Sequence, residues 1–443
     1  MKTDNPLLSL AARRREGIAS GIPSYCSSNP FVIEAVMQQS KRFDDHVLIE
    51  ATCNQVNQFG GYIGMTPSQF RDYVFQIADD IGYDRSHIIL GGDHLGPQPW
   101  KEQPEAVAMA NACELVRQFV LAGYQKIHLD TSMRVGDDNV DQPLGDEVIA
   151  RRGAQLMVVA EDAFMQLKSQ NPDAVHPVFI IGSEVPIPGG AQVEEEMCVT
   201  DPQDFENTIQ AYQNEFEKAG IAHLFQYVIA VVVQPGVEFG DADVHRYNPA
   251  EAMALSSKLK DYPNLVFEGH STDYQSPQSL KQMVEDGIAI LKVGPALTFA
   301  VRRALFALAK MENELVTDES RRSHFIEVLE QVMNDNPKDW LKYYKGTPQQ
   351  QSLKRKYSYS DRCRYYMGVP QVKHAIKTLF DNMEQVDIPM GMLEQYMPLQ
   401  YIKVRDGHLS VLPKSLVIDS VVQVIDDYNY ATKYHFMTSS AMV

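Results

Sequence analysis

Short apolar segments alternate with amphipathic stretches along this chain as far as Val293. Several of the apolar segments are almost continuous runs, such as Ile229-Ala-Val-Val-Val233, which is typical of strands that helices cover on both faces. Eight strands that alternate with helices favour a (β/α)₈ TIM barrel, with an open doubly wound parallel sheet as the alternative. The predicted strands are residues 22–26, 47–53, 88–94, 126–132, 178–185, 228–234, 265–270 and 288–293.

Five helices of this pattern have the same start signal, a polar capping residue followed by proline. Gln69 follows Thr66 at the spacing of a capping box. After Met311 the strand pattern stops, and the sequence reads as helical and irregular. We therefore expect residues 1–310 to form the barrel and residues 311–443 to form a mainly helical annex packed on it. The capping pairs are Asn29-Pro30, Thr66-Pro67, Asp201-Pro202, Asn248-Pro249 and Ser276-Pro277.

Charge and cysteine usage limit the classes of partner. The chain has 58 acidic and 40 basic residues, a net charge of −18, which opposes binding to nucleic acid or to anionic lipid. No apolar run approaches the ~20 residues that span a bilayer, and no signal segment opens the chain. The five cysteines have no CxxC pairing, which fits a reducing cytoplasm. We expect a cytoplasmic protein in which an anionic substrate requires a local basic pocket.

The predicted strands end in an unusual number of polar residues. Catalytic groups of a barrel lie at the carboxyl ends of its strands, so these residues are expected to face one another. Burying so many without partners would be costly, and a metal ion or a substrate that neutralises some of them is the economical account. The residues are Glu50, Asn54, Asp93, His94, His128, Asp130, Glu184, Gln234, Glu268, His270 and Lys292.

Four of these residues are predicted to hold a divalent cation. Their imidazole and carboxylate donors suit Zn²⁺, Mn²⁺ or Mg²⁺, and a bound ion could polarise a sugar carbonyl. The sequence leaves open which of Asp130, Glu184 and Glu268 binds the ion and which acts as a base. The predicted ligands are His94, Asp130, Glu184 and His270.

Four further strand-end residues are assigned to catalysis: Asp93, Glu50, Glu268 and Lys292. Asp93 could move a proton if the chain bends beside His94, because neighbouring residues of a strand otherwise point to opposite faces. The alternative for Asp93 is a turn or capping residue. Glu50 and Glu268 could instead be structural acids paired with Lys292 or with a backbone amide. His128 could be a buried histidine bonded to a backbone carbonyl.

Substrate and phosphate contacts are predicted in the loops of the barrel and in the annex. Barrels often hold phosphate after strands 7 and 8, where this chain has Ser271, Thr272 and Gly294. Two annex residues, Arg362 and Arg364, could reach an anionic ligand or could simply anchor the annex. The polar residues Asn54 and Gln234 complete the predicted contacts. No GxxxxGK[ST] loop and no GxGxxG after a strand is present, so no nucleotide cofactor is expected.

Six motifs resemble the GatZ/KbaZ family: EATCNQVNQFGGYIGMTP (50–67), ILGGDHLGP (89–97), VQPGVEF (233–239), HSTDYQ (270–275), LKVGPALTF (291–299) and SDRCRYY (360–366). The resemblance implies a TIM barrel with a role in galactitol or N-acetylgalactosamine catabolism. It implies the Z subunit of class II D-tagatose-1,6-bisphosphate aldolase, a non-catalytic partner that activates and stabilises the catalytic Y subunit. A kinase activity was once suggested for the family, but this chain lacks the phosphate-binding loop that such an activity would require.

The resemblance also implies an alternative, because some relatives are D-tagatose-6-phosphate 4-epimerases. Opening and re-closing the C3–C4 bond by aldolase-like enediolate chemistry would convert tagatose 6-phosphate into fructose 6-phosphate. Class II aldolases place Asp-His after a barrel strand with the histidine on zinc, and Asp93-His94 and His270 match that pattern. Gln234 stands where such enzymes supply another histidine. The expected partners are a Y-type subunit and a sugar phosphate. The sequence leaves open whether the chain also forms a homo-oligomer.

Overall fold

Eight parallel strands close into a barrel in the computed structural model, which describes residues 4–42, 45–183 and 198–440, with side chains as far as 433. Each strand pairs with its sequence neighbours, and the first pairs with the last. The predicted TIM barrel with a helical annex is therefore confirmed. The strands are β1 (Ile22–Cys26), β2 (Val47–Thr52), β3 (Ile88–Leu95), β4 (Lys126–Leu129), β5 (Val178–Ile181), β6 (Val228–Val233), β7 (Val266–Gly269) and β8 (Ile288–Val293).

A ring of helices surrounds the barrel, and all five predicted capping pairs begin helices of this ring. Asn29 and Asp201, for example, each accept a hydrogen bond from the backbone amide two residues later. Helix α1 lies before β1, and its Leu10 and Ala11 pack into the apolar lower interior of the barrel. The helices are α1 (Ser9–Arg15), α2 (Pro30–Ser40), α3 (Pro67–Asp80), α4 (Glu105–Leu121), α5 (Asp146–Gln170), α6 (Pro202–Lys218), α7 (Pro249–Lys258), α8 (Pro277–Glu285) and α9 (Pro295–Leu315).

Six more helices form the C-terminal part of the chain: α10 (Phe325–Asp335), α11 (Pro348–Tyr357), α12 (Pro370–Met383), α13 (Met390–Tyr396), α14 (Pro398–Arg405) and α15 (Pro413–Ser440). Helix α15 packs against α2, α8 and α9, and its Thr432 carbonyl accepts a hydrogen bond from Gly21 N before β1. The proposed division at residue 311 falls inside α9 and stays a prediction. None of the described helices combines the length and the apolar character that a membrane span requires.

Candidate active site

A polar layer crosses the interior of the barrel above its apolar base. Cys26, Glu50, Gly91 and Lys126 lie at one level, since they are register partners on β1 to β4. A Cβ atom on Gly91 would lie 2.6 Å from Cγ of Glu50. The missing side chain at Gly91 therefore provides the space in which Lys126 and Glu50 meet.

Two buried lysines pair with the acids of this layer. Lys126 Nζ lies 2.6 Å from Glu50 Oε1 and 2.7 Å from Glu268 Oε2. Lys292 Nζ lies 2.8 Å from Glu50 Oε2, also contacts Asp93 Oδ1, and is 3.9 Å from Glu268 Oε1. These are the contacts of the alternative in which Glu50 and Glu268 are structural acids paired with Lys292, with Lys126 added to the pairing, and the catalytic assignment of the three residues stays a prediction.

Three histidine rings form a triangle above this layer, at the carboxyl ends of the strands. The ring centroids of His94, His128 and His270 are 5.0–5.3 Å apart. One donor atom from each ring and one oxygen of Asp93 all lie within 4.8 Å of one another. All four residues are buried. This spacing lets the four side chains share one small ligand.

A backbone bend at His94 makes this cluster possible. His94 has a φ of 49°, in the left-handed region that non-glycine residues rarely adopt, and the pairing register of β3 shifts between Gly92 and Leu95. Asp93 and His94 therefore both face the interior. Asp130 Oδ2 lies 2.7 Å from His94 Nδ1, and its other oxygen accepts hydrogen bonds from the Ser132 amide and hydroxyl.

The charges of the cluster shift its pKa values. Burial alone lowers the pKa of His94, but Asp93 and Asp130 outweigh burial and raise it. Burial lowers the pKa of His270 to about 3, although Glu268 opposes the shift, so His270 is neutral at physiological pH. Burial opposes ionisation of Asp93, yet His94 and Lys292 hold its pKa well below the usual range. Asp93 is therefore an ionised carboxylate.

The cluster suits a divalent cation. Together with the polar layer beneath it, the cluster contains four buried carboxylates and two buried ammonium groups among the described residues. The carboxylates are those of Glu50, Asp93, Asp130 and Glu268, and the ammonium groups are those of Lys126 and Lys292. Two negative charges are left when the imidazoles are neutral, and one divalent ion balances them. His128 Nε2 is buried and has no hydrogen-bond partner among the described residues, as an imidazole nitrogen that awaits a ligand would be.

Comparison with known protein families and solved structures identifies the family of this chain. Residues 7–433 match the model of the family described as D-tagatose-1,6-bisphosphate aldolase subunit GatZ/KbaZ-like. The chain belongs to the GatZ/KbaZ-like family. A protein from Sinorhizobium meliloti 1021, described as a probable tagatose 6 phosphate kinase, has 44% identity and a TM-score of 0.84 over 93% of this chain and 100% of its own. These findings confirm the resemblance and support a role in carbohydrate metabolism.

Two solved aldolases are far more distant from this GatZ/KbaZ-like chain. Fructose-bisphosphate aldolase from Campylobacter jejuni has 13% identity and a TM-score of 0.41, over 85% of this chain and 91% of its own. The YdjI aldolase from Escherichia coli K12 has 12% identity and a TM-score of 0.38, over 81% and 95% of the two chains. Neither likeness bears on the activity.

The predicted phosphate residues of the GatZ/KbaZ-like chain are already engaged. The Thr272 hydroxyl bonds the Lys292 carbonyl and Tyr428 Oη. The Gly294 and Ala296 amides, at the start of α9, both donate to Asp273 Oδ1 at 3.0 and 2.7 Å. Burial raises the pKa of Asp273 to about 6, although these amides oppose the shift. A carboxylate of the chain itself therefore occupies the amides proposed for phosphate.

The remaining barrel residues that were predicted to contact substrate lie in separate loops at the ends of the strands. Gln234 Oε1 accepts hydrogen bonds from the Gly236 and Val237 amides and so shapes the turn after β6. Asn54 is exposed in the loop after β2. Ser271 is partly buried beside His270 and has a φ of 53°. The predicted metal ligand Glu184 lies outside the described residues.

The two annex arginines differ in their surroundings. Arg362 is buried, donates to the Asp339 carbonyl at 3.1 Å and stacks on the ring of Tyr343, all within the annex. Arg364 is partly buried and bonds the Ser360 and Asp361 carbonyls and Tyr365 Oη.

Arg364 lies over the mouth of the barrel. The Tyr365 ring contacts Tyr62 of the β2 loop at 4.9 Å, and the Arg364 charge acts on Asp273 of the β7 loop. Strands β8 and β1 lie between β7 and β2 in the barrel, so these two interactions place Arg364 near the loops at the carboxyl ends of this part of the barrel.

Sequence reasoning named His128 among the strand-end residues without giving it a role, and it did not include the buried residues Lys126 and Glu238. The two-residue alternation of β4 could have indicated Lys126, since it shares a face with His128 and Asp130. Glu238, after β6, is buried, and Phe239 N donates to its Oε1. Burial raises the pKa of Glu238 to about 7, although hydrogen bonds from Phe239 N and Ser271 oppose the shift.

Proposed function

We propose that this chain is a metal-dependent enzyme that interconverts D-tagatose 6-phosphate and D-fructose 6-phosphate by inverting C4. The observation that carries the proposal is the group of three histidines and Asp93, whose donor atoms lie within 4.8 Å of one another at the barrel mouth. A chain whose pocket had lost its chemistry would have little reason to keep so many buried charges, because each one is costly without a partner.

The ion would be held by His94, His128 and His270, with Asp93 and Asp130 beside them. It would polarise the ketose carbonyl and stabilise the enediolate left when the C3–C4 bond opens. Lys292 and His128 both bond Asp93 Oδ1, and Oδ2, which lies 3.7 Å from Cys26 Sγ and 3.7 Å from His94 Nε2, would accept the proton of the C4 hydroxyl. After the aldehyde rotates, Asp93 returns this proton as the C3–C4 bond re-forms. Asp130 fixes the orientation of His94 through Nδ1.

The phosphate of the substrate is assigned to Arg364. This guanidinium bonds two carbonyls and a phenol, and no carboxylate of a described residue forms an ion pair with it. An arginine with unpaired charge over a barrel mouth suits a phosphate dianion. The barrel would then hold the reacting carbons, and the annex would hold the phosphate.

The second candidate is the Z subunit of class II D-tagatose-1,6-bisphosphate aldolase, which activates and stabilises a Y-type catalytic subunit in galactitol or N-acetylgalactosamine breakdown. The family description favours this role. The two roles differ in whether the chain turns over substrate alone. The absence of disulfides among the five described cysteines fits a cytoplasmic setting for either role.

The test is an assay of the purified chain alone with fructose 6-phosphate and Mn²⁺, Zn²⁺ or Mg²⁺, in which tagatose 6-phosphate is measured. We expect turnover that His94→Ala and His270→Ala each abolish. His374→Ala, at an exposed position of α12, is the matched control and should retain full activity.

Absence of turnover with every metal would refute the epimerase proposal. If a Y-type aldolase then gained activity on addition of this chain, the accessory role would replace it. Loss of that stimulation in His94→Ala would assign the histidine cluster to the accessory role.

A further inference from the structure

Lys126 lies below the three histidine rings and forms no hydrogen bond with any of them. Its ammonium group is completely buried on β4, two residues before His128. Its ion pairs join it to Glu50 Oε1 at 2.6 Å and Glu268 Oε2 at 2.7 Å. A lysine enclosed in this way cannot reach a substrate at the mouth, so any role in the site must act through these two acids.

The second oxygen of each acid is also engaged. Glu50 Oε2 lies 2.8 Å from Lys292 Nζ, and Glu268 Oε1 lies 2.9 Å from His270 Nε2. A continuous chain of contacts thus runs from Lys292 through Glu50, Lys126 and Glu268 to His270. Lys126 is its central link.

The Glu268–His270 contact determines which nitrogen His270 can offer. A carboxylate that accepts the N–H of a metal-binding histidine fixes the tautomer and orientation of the ring. With Nε2 bonded to Glu268, Nδ1 is the nitrogen of His270 that is left for an ion. The position of Glu268 therefore controls the geometry of one ligand.

We infer that Lys126 is a positioning residue, which holds Glu268 against His270 so that His270 presents Nδ1 to a divalent cation. The inference rests on the proposed function only in placing a cation at His94, His128 and His270. It does not require that the chain is an epimerase. The alternative is that Lys126 only neutralises buried acids and supports the fold.

The first test is Lys126→Met, which keeps an unbranched side chain of similar length and removes the charge. We expect its affinity for Zn²⁺, measured by competition with a chromogenic chelator, to fall about 10–100-fold, the usual effect of losing a residue that orients a ligand. Circular dichroism and urea unfolding would establish that the variant is folded.

Arg152→Met is the matched control. Arg152 is also completely buried and also bridges two acids, with Nη2 2.6 Å from Glu105 Oε2 and 2.7 Å from Asp138 Oδ1, but it lies on α5 in the outer ring. We expect this variant to lose stability and to bind Zn²⁺ like the unmodified chain. Zn²⁺ binding that fell equally in both variants would overturn the inference.

A second variant separates position from charge. Lys126→Met combined with Glu50→Gln removes one positive and one negative charge, so the net charge of the cluster stays the same while Glu268 still lacks its anchor. If Lys126 positions Glu268, the double variant should bind Zn²⁺ about 10–100-fold more weakly than the unmodified chain, which has the same net charge. An affinity equal to that of the unmodified chain would mean that Lys126 acts only through net charge, which would overturn the inference.

The inference and the proposed function can fail separately. A wild-type chain that binds Zn²⁺ in a Lys126-dependent way but does not convert fructose 6-phosphate would refute the epimerase and support the positioning role. A chain that converts fructose 6-phosphate, and whose Zn²⁺ affinity is unchanged in Lys126→Met, would support the epimerase and refute the positioning role. A wild-type chain that binds no Zn²⁺ would overturn the inference.

Discussion

Two regions of the molecule bury charged side chains, and they satisfy them differently. In the annex, Asp361 accepts hydrogen bonds from Thr298 Oγ1 at 2.7 Å and Arg302 Nε at 2.6 Å, so each carboxylate oxygen has a donor. Among the described residues, the buried carboxylates of the barrel outnumber its buried ammonium groups, and His128 Nε2 has no hydrogen-bond partner. The annex carboxylate is neutralised by a cation of the protein, whereas the barrel cluster has negative charge left for one more ligand.

This difference separates buried charges that support the fold from buried charges that are available to bind a ligand. Both clusters contain a buried aspartate paired with a buried cation, so the presence of such a pair does not by itself indicate chemistry. The annex cluster joins α9 to the segment that carries Arg364, so its role is to place that segment. The barrel cluster has surplus negative charge at the carboxyl ends of the strands, where barrel enzymes work.

The largest expected effect tests the annex cluster. Asp361→Ala leaves the buried Arg302 without its carboxylate, and removing one partner of a buried pair typically costs about 3–5 kcal/mol. Urea unfolding should detect a loss of this size, while Zn²⁺ binding by the folded protein should not change. Asp406→Ala, which breaks an exposed pair with Arg405, is the control and should alter stability far less. Unchanged stability in Asp361→Ala would remove the contrast between the two regions.

The second prediction concerns Glu238, a buried carboxyl group after β6 that, unlike Glu50 and Glu268, forms no ion pair with a lysine of the described residues. Burial raises the pKa of Glu238 from 4.5 to about 7, so the folded protein holds this proton more tightly than the unfolded chain. Its contribution to stability is therefore complete below pH 4.5 and is lost as the pH rises through 7. Glu238→Gln should remove this loss and stabilise the protein at pH 8 by roughly 3 kcal/mol.

Urea unfolding at pH 5 and pH 8 provides the measurement for Glu238. The gap between Glu238→Gln and the unmodified chain should open between these two pH values. A variant less stable than the unmodified chain at pH 8 would mean that the Glu238 carboxylate has a stabilising partner in the folded protein.

The third prediction sharpens the assignment of ligands inside the barrel cluster. Asp130 contacts His94 Nδ1, whereas no described residue forms a hydrogen bond with His128 Nε2, so His128 is the better direct ligand. Asp130→Asn should lower Zn²⁺ affinity by about 10–100-fold, as expected of a residue that orients a ligand, and His128→Ala should lower it further. Chelator competition measures both. The opposite order would favour direct binding by Asp130, the ligand predicted from the sequence.

The smallest expected effect compares the two annex arginines. Arg364→Met should raise KM for fructose 6-phosphate about tenfold with kcat little changed, because it removes a charge that binds the phosphate throughout the reaction. Arg362→Met should leave KM unchanged and reduce stability, because the described residues that bond Arg362, Tyr344 and Asp339, both belong to the annex. Equal KM values for the two variants would place the phosphate elsewhere.

The sequence predicted the barrel closely because continuous apolar runs mark its strands. Seven of the eight predicted strands begin at the observed residue, and β7 begins at Val266 instead of Leu265. The predicted ends were less accurate, since the polar residues beyond Leu129 belong to the loop after β4. A run of side chains indicates where a strand is buried, but the point at which pairing stops depends on the neighbouring strands.

The site was harder to predict than the barrel, because it depends on backbone bends and on contacts between distant residues. Alternation along β3 would direct Asp93 and His94 to opposite faces, and the bend at His94 has no obvious sequence signature. Arg362 and Arg364 are indistinguishable in sequence, and only their separate neighbours divide them. The sequence indicated only that Lys126 begins a strand. Its position beside Glu50 depends on the pairing of Lys126 with Gly91 in the sheet.

The closure of the barrel has a consequence for synthesis of the chain. Ile22 of β1 pairs with Ile290 of β8, and Gly21 bonds Thr432 near the end of α15. At the ~5–20 residues per second of translation, the first strand leaves the ribosome roughly 15–50 s before its last neighbour exists. During that interval one edge of β1 is unpaired and open to association with other nascent chains. Slower elongation lengthens this exposure, so the yield of folded protein should depend on translation speed and on chaperones that shield the N-terminal strands.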